Sequence, residues 1–274
     1  MVFNSISEGG QMIVIGGKRA ILHKLIFEIR YRFGYTYLDR KGFLINRIIE
    51  SYPNLLLLSN PNEATFNETT FFSQEDKSFL GVSAHHFYAF REQKIGDRGL
   101  KERDAENLAR ITNEVFDLIS EILDLKDFSR IGFRVNYLLS DMNEQESKSW
   151  IAKTNIFNIS EQFISAFKGQ IESQGHTLVI IGENKKYKIS LNSVKRSYSL
   201  EIGGLTIRPH FLSKKQDEIL KKQLLAKRKF EDNPEYSVLI DVDTFLEEPL
   251  DINIEDFILQ SFSEINESLP RAFR

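Results

Sequence analysis

The chain of 274 residues contains no cysteine. That excludes disulfides, thiol catalysis and cysteine-held zinc or iron–sulfur sites, and it fits a reducing compartment. Histidine occurs five times, without a His-x-His or HExxH pattern, so a zinc site has no basis in the sequence. His23, His176 and His210 are isolated. His85 and His86 are adjacent and, read as part of one strand, point to opposite faces, where they cannot share a metal. No Gly-x-Ser-x-Gly marks a nucleophile elbow. In "GGQMIVIGGKR" the phosphate-loop spacing fails, because Met12 stands where the first glycine belongs and Arg19 replaces the hydroxyl residue. Its glycines read as a flexible entry into the first strand. No apolar run approaches the roughly 20 residues of a membrane helix, and the N-terminus lacks the basic-then-apolar order of a secretory signal. Together these absences predict a cytoplasmic protein with no membrane association, no cofactor and no metal.

What is present is ordinary for a globular chain: 41% hydrophobic and 27% charged residues, with 22 phenylalanines against one tryptophan. A core of Phe, Ile and Leu follows. The net charge of −3 hides an uneven distribution. From Gly175 to Phe230 thirteen basic residues face only Glu183, Glu201, Asp217 and Glu218, whereas Glu231 to Pro270 holds no Lys or Arg. Mutual screening of the two segments is one reading. The other is a nucleic-acid footprint centred on Lys214, Lys215, Lys221, Lys222, Lys227, Arg228 and Lys229, where clustered lysines neutralise phosphates without base contacts. Aromatic residues do not interleave with them, which argues against base stacking.

Periodicity sets the element order. "HKLIFEIRYRF" alternates Leu25, Phe27, Ile29, Tyr31 and Phe33 with Lys24, Glu28, Arg30 and Arg32, as a half-buried strand does. A helix is expected over 38–51, then strands at 55–58, 64–72 and 78–90. Leu108, Ile111, Val115, Leu118, Ile122 and Leu125 form the stripe of a long helix. "RIGFRVNYLL" at 130–139 is a strand, and "SDMNEQESKS" reads as a polar linker. A helix with a capping box at Asn158 and Glu161, strands at 176–182, 186–192 and 197–208, a basic helix at 212–230, the strand "YSVLIDVDTFL" and a helix at 254–267 complete the chain.

That order predicts an α/β protein, α+β-like in character. It has two related halves of antiparallel-rich sheet covered by helices, and a duplication period of about 107 residues. The boundaries are an extension at 1–22, a unit at 23–140, a linker at 141–157 and a second unit at 158–274. If the three long strands are equivalent, Asp241 and Asp243 lie beside strands carrying Glu28, Arg30, Arg32, Arg134 and Asn136. Cross-strand ion pairs are then expected, each contributing about 0.2–1 kcal/mol. The alternatives are a divalent-metal site on Asp241 and Asp243, as a nuclease-like enzyme would use, and an anion site on the arginines.

"FEIRYRF", "RIGFRVNYLL" and "VLIDVDTFLEEPLD" resemble three hallmark strands of a sporadically distributed family of uncharacterised bacterial proteins. That family carries Glu-x-Arg, Arg-x-Gly-x-Arg-Tyr-x-Asn and Asp-x-Asp motifs. Here Arg130, Gly132 and Arg134 match, Val135 replaces the tyrosine, and Asn136 follows it directly, one position earlier than the motif's asparagine. The resemblance implies a bacterial or archaeal source and an association with mobile or defence-type loci; it implies no catalytic residues. The functional expectation is a non-enzymatic binding component of a bacterial complex, engaging a protein or nucleoprotein partner encoded nearby.

Overall fold

A computed structural model of the chain describes residues 12–32, 34–58, 68–93, 99–154, 175–182, 184–195, 236–250 and 253–273. The expected helices at 158–171 and 212–230 and the strand at 197–208 lie outside these residues, as do all seven residues of the basic cluster.

The described residues form an α+β arrangement. Four helices, α1 (Thr36–Ser51), α2 (Glu102–Leu123), α3 (Glu144–Lys153) and α4 (Ile254–Ala272), accompany ten strands. The strands are β1 (Met12–Ile15), β2 (Lys18–Tyr31), β3 (Leu55–Leu57), β4 (Glu68–Ser73), β5 (Phe79–Ser83), β6 (His86–Glu92), β7 (Phe128–Met142), β8 (Gly175–Ile181), β9 (Lys186–Lys195) and β10 (Tyr236–Glu247). They build one large sheet in the order β3-β4-β5-β6-β2-β7-β10-β9-β8, with β1 paired to β2. The chain clusters into two compact units. One falls within Met1–Leu138, His176–Leu191 and Ile240–Arg274, and the other within Leu139–Gly175 and Asn192–Leu239. Within the second, α3 starts with a capping box in which Asn143 Oδ1 accepts from the Glu146 N–H at 2.9 Å, and Ser147 bonds Ser193 at 2.6 Å. The polar stretch expected as a linker therefore holds a helix.

The first unit covers one face of its sheet with helices. Residues 25, 27, 29 and 31 of β2 and 131, 133, 135 and 137 of β7 are buried, while Ile26, Glu28, Arg30, Arg130, Arg134 and Asn136 on the other parity are half-buried or exposed. On the buried face Phe27 meets Phe87, and Phe87 meets Phe116 of α2. Tyr137 bonds Asn266 of α4, and Tyr37 of α1 bonds Thr69 of β4 at 2.8 Å. The helices α1, α2 and α4 thus share one layer over one core, each large aliphatic or aromatic side chain adding about 2 kcal/mol of burial. The α2 stripe of Leu108, Ile111, Val115 and Ile122 is buried as its spacing requires. Leu125 lies beyond the helix, which stops where Asp124 takes left-handed backbone at φ 52°.

Two expectations are corrected. The second glycine pair of "GGQMIVIGGKR" is not a loose entry: Gly16 and Gly17, at φ 53° and 73°, make a two-residue hairpin turn joining Ile15 to Lys18. Positive φ at both central positions matches the right-handed twist of the flanking strands. Residues 78–90 are not one strand but a hairpin. Ser83 ends β5, and its Oγ accepts the N–H groups of His85 and His86 at 3.3 and 3.1 Å. The Tyr31 hydroxyl donates to the Ser83 carbonyl at 2.7 Å. The two histidine rings, instead of facing apart, sit 4.5 Å from each other.

Pairing fixes the rows on the other face. Leu56, Phe72, Phe79, Phe90 and Ile26 stand opposite one another across β3, β4, β5, β6 and β2. The next row is Thr70, Gly81, Tyr88 and Glu28. Gly81 leaves the space in which the Tyr88 ring crosses β5 to reach the Glu68 carboxylate, and a Cβ there would lie 2.2 Å from Tyr88 Cζ. Gly81→Ala must expel the ring, so urea unfolding is expected to show a loss of about 1–3 kcal/mol.

Candidate functional site

The three long strands β2, β7 and β10 are neighbours in the sheet, and their face away from α1, α2 and α4 holds a lattice of arginines and carboxylates. Asp243 is its centre. Its side chain is 8% exposed, and its Oδ2 lies 2.7 Å from Arg130 Nη2 and 3.5 Å from Arg134 Nη2. A carboxylate removed from water in this way needs charged donors, because the unpaired ion is far costlier to bury than the pair. Arg134 also places Nε 3.5 Å from Asp241 Oδ1. That contact is close enough for attraction, but Asp241 Oδ1 makes no hydrogen bond. On β2, Glu28 bonds Arg30 of the same strand and lies 4.0 Å from Arg130.

Arg130 joins the groups on β2 and β10. Its guanidinium folds over Gly132 of its own strand, where a Cβ would come within 2.9 Å of Nη1, and it stacks 4.6 Å from the Phe245 ring centroid. The residue type matters here. A planar fork can meet one carboxylate, approach a second and stack on an aromatic ring together, which an ammonium group cannot.

The lattice perturbs titration in two directions. Burial lifts the Asp241 carboxyl above its usual range and the neighbouring Asp243 adds to this, while Arg134 and Lys188 pull against them. Burial also raises Glu28, but the Arg30 hydrogen bond and the charges of Arg30, Arg130 and His86 outweigh it, and Glu28 ends below its usual value. His86 is lowered by burial and by His85.

Of the residues singled out from the sequence, Glu28, Arg30, Arg134, Asp241 and Asp243 meet here. Arg32 does not. It lines a separate cavity of about 240 Å³ with Tyr31, Thr36, Tyr37, Lys126 and Asp127. Asn136 is half-buried with no hydrogen bond to its Oδ1. Sequence reasoning passed over Arg130 as a site residue, although its spacing to Gly132 marked it, and over the Tyr88–Glu68 pair, which only strand pairing brings together.

The described end of the basic segment is paired with acids. Lys185 Nζ lies 3.0 Å from Glu264 Oε2, Lys186 bonds Glu247, and Lys188 acts on Asp241. Among the described residues, no three of His, Cys, Asp and Glu are grouped to hold a metal ion, and no helix is long and apolar enough to cross a membrane. No protein-family model, no curated protein and no solved structure matches the chain.

Two outcomes follow for stability. Asp243→Ala, which takes the buried acceptor away from the half-buried Arg130 and Arg134, is expected to cost about 1–3 kcal/mol, and Arg30→Ala, at an exposed pair, less than about 1 kcal/mol, both read by urea unfolding. The pH dependence runs in opposite senses at the two perturbed acids. Folded Asp241 holds its proton above the ordinary 3.8, so its contribution to stability is lost as pH rises through the folded value. Folded Glu28 releases its proton below the ordinary 4.5, so its contribution is lost as pH falls through the folded value. Asp241→Asn should therefore become relatively more stable than wild type as pH rises from about 4 to 7, and Glu28→Gln relatively less stable.

Proposed function

We propose that the protein is a non-enzymatic binding component of a bacterial complex, and that it docks a protein partner on the face of the β2–β6–β5–β4 sheet region and its β7–β10 extension that lies away from α1, α2 and α4. The observation that carries this reading is the face itself. A cross-strand stripe from Leu56 through Phe72, Phe79 and Phe90 to Ile26 lies beside the guanidinium–carboxylate lattice, with α1, α2 and α4 all packed on the opposite side. Phe79 stacks on Phe90 at 4.7 Å and meets Phe72, tilted, at 4.9 Å, which presets a rigid apolar surface at little entropic cost to a partner.

Charge decides the class of partner. Among the described residues of this face, Lys24, Arg30, Arg130, Arg134, Lys186 and Lys188 stand against Glu28, Glu68, Glu92, Asp241, Asp243 and Glu247, six of each sign. A balanced surface gains little from phosphate neutralisation, which supplies most of non-specific nucleic-acid affinity. It favours a partner with alternating charges around an apolar centre. The pairing of Asp243 with two arginines likewise favours a structural role for Asp241 and Asp243 over metal-dependent hydrolysis. The reading of the chain as two related halves remains part of this proposal and rests on element order alone.

The nucleic-acid alternative draws on the 185–230 region, whose lysine cluster lies outside the described residues. The two readings separate in one experiment. Co-expression with the products of adjacent genes should give a stoichiometric complex that Phe79→Asp or Phe90→Asp abolishes, with the unfolding midpoint checked for each variant. The contrary result is steeply salt-dependent binding of DNA or RNA that those variants retain and that reversal of Lys221, Lys222, Lys227 and Arg228 to Glu removes.

A further inference from the structure

We propose that the protein forms a two-fold symmetric dimer through the outer stripe of α1 and the edge of β3 that no other described strand pairs with. The inference goes beyond the docking face and does not rest on it. α1 carries two apolar stripes. Tyr37, Leu44 and Ile48 are buried against the sheet. Leu38, Gly42, Ile45 and Ile49, spaced four, three and four, lie about 100° further round the helix. Leu38 and Ile49 are 40% and 39% exposed, and Ile45 is half-buried.

The direction of this second stripe follows from its neighbours. Arg40 donates to the Ile122 carbonyl of α2, so the α2 side of α1 is the Arg40 side. Lys41 donates to the Glu68 carbonyl of β4 at 3.4 Å, so the sheet lies beneath the helix there. The stripe therefore faces away from α2, over the end of the sheet. That end is β3, the last strand of the sheet path, whose Leu57 and adjoining Leu58 are 41% and 46% exposed. Edge strands are ordinarily blunted by charge, proline or a bulge. "LLLL" at 55–58 carries neither charge nor proline.

A second copy of the chain fits this surface. The four-three-four spacing is that of a coiled-coil seam. An antiparallel pairing layers Leu38 on the second copy's Ile49 and Gly42 on the second copy's Ile45. A Cβ at Gly42 would meet nothing within 4 Å, leaving room for that close approach. On the solvent flank of the stripe, Asp39 falls opposite Asn46 of the second copy, so no like charges oppose. The same two-fold operation sets the two β3 edges side by side, each able to supply backbone groups to the other, as isologous interfaces require.

The experiment is sedimentation velocity on the full chain through the micromolar range, where a dimer is expected. Leu38→Glu and Ile49→Lys, both at exposed helix positions, should each weaken dimerisation about tenfold or more with the unfolding midpoint little changed. Combined in one chain, they set opposite charges in both outer layers and should restore dimerisation to within about threefold of wild type. A wild-type chain that stays monomeric overturns the proposal. So do single variants that dimerise normally, a double variant no better than the singles, or a monomer that binds a different protein through this stripe.

Discussion

A buried carboxylate is the constraint on which the sheet is organised. Asp243 sits almost out of water on β10, and the guanidinium groups of Arg130 and Arg134 on β7 offset the cost of that burial. Sliding β10 by one residue against β7 would turn Asp243 to the apolar side and bring Val242 or Thr244 among the arginines. The interaction thus specifies register more than it adds net stability. Arg130 extends the constraint to β2 through Glu28, which ties three strands far apart in sequence into one arrangement.

The layer of helices and the lattice divide the work between the two faces. On one side Phe27, Phe87, Phe133 and Tyr137 exclude water beneath α1, α2 and α4. On the other, polar groups compensate one another so that the surface tolerates solvent without becoming a strongly charged field. The proposed docking of a protein partner draws on this balance among the described residues, since mismatched charge patterns are penalised there while apolar contact supplies affinity.

Much of this was legible in the chain, for identifiable reasons. The alternation around Phe27 and Phe133 and the three-four spacing of α2 report burial directly, so those elements stand close to where periodicity puts them. The acids of β10 suggested arginine-bearing neighbours because each strand carried charge on one parity. What periodicity could not register was the turn at Ala84–His85. Ser83 binds two backbone N–H groups there and reverses a run whose alternation continues without a glycine or proline to mark it. The helix Glu144–Lys153 was hidden by its polarity, its signal being the Asn143–Glu146 capping box and not an apolar stripe. Arg32 shares the parity of Glu28 and Arg30, yet it lies past the end of β2, where the face no longer continues. Tyr88 and Glu68 join only through a gap at Gly81, which sequence shows as an unremarkable glycine in a strand.

The most direct test of the account is a double-mutant cycle on the central pair, with Arg130→Met, Asp243→Leu and the two combined, each followed by urea unfolding at neutral pH. If the carboxylate and the guanidinium exist to satisfy each other, the combined variant is more stable than the summed single losses allow, by about 2 kcal/mol or more. Additivity to within about 0.5 kcal/mol would mean that the two side chains do not act as a unit, and would contradict the account.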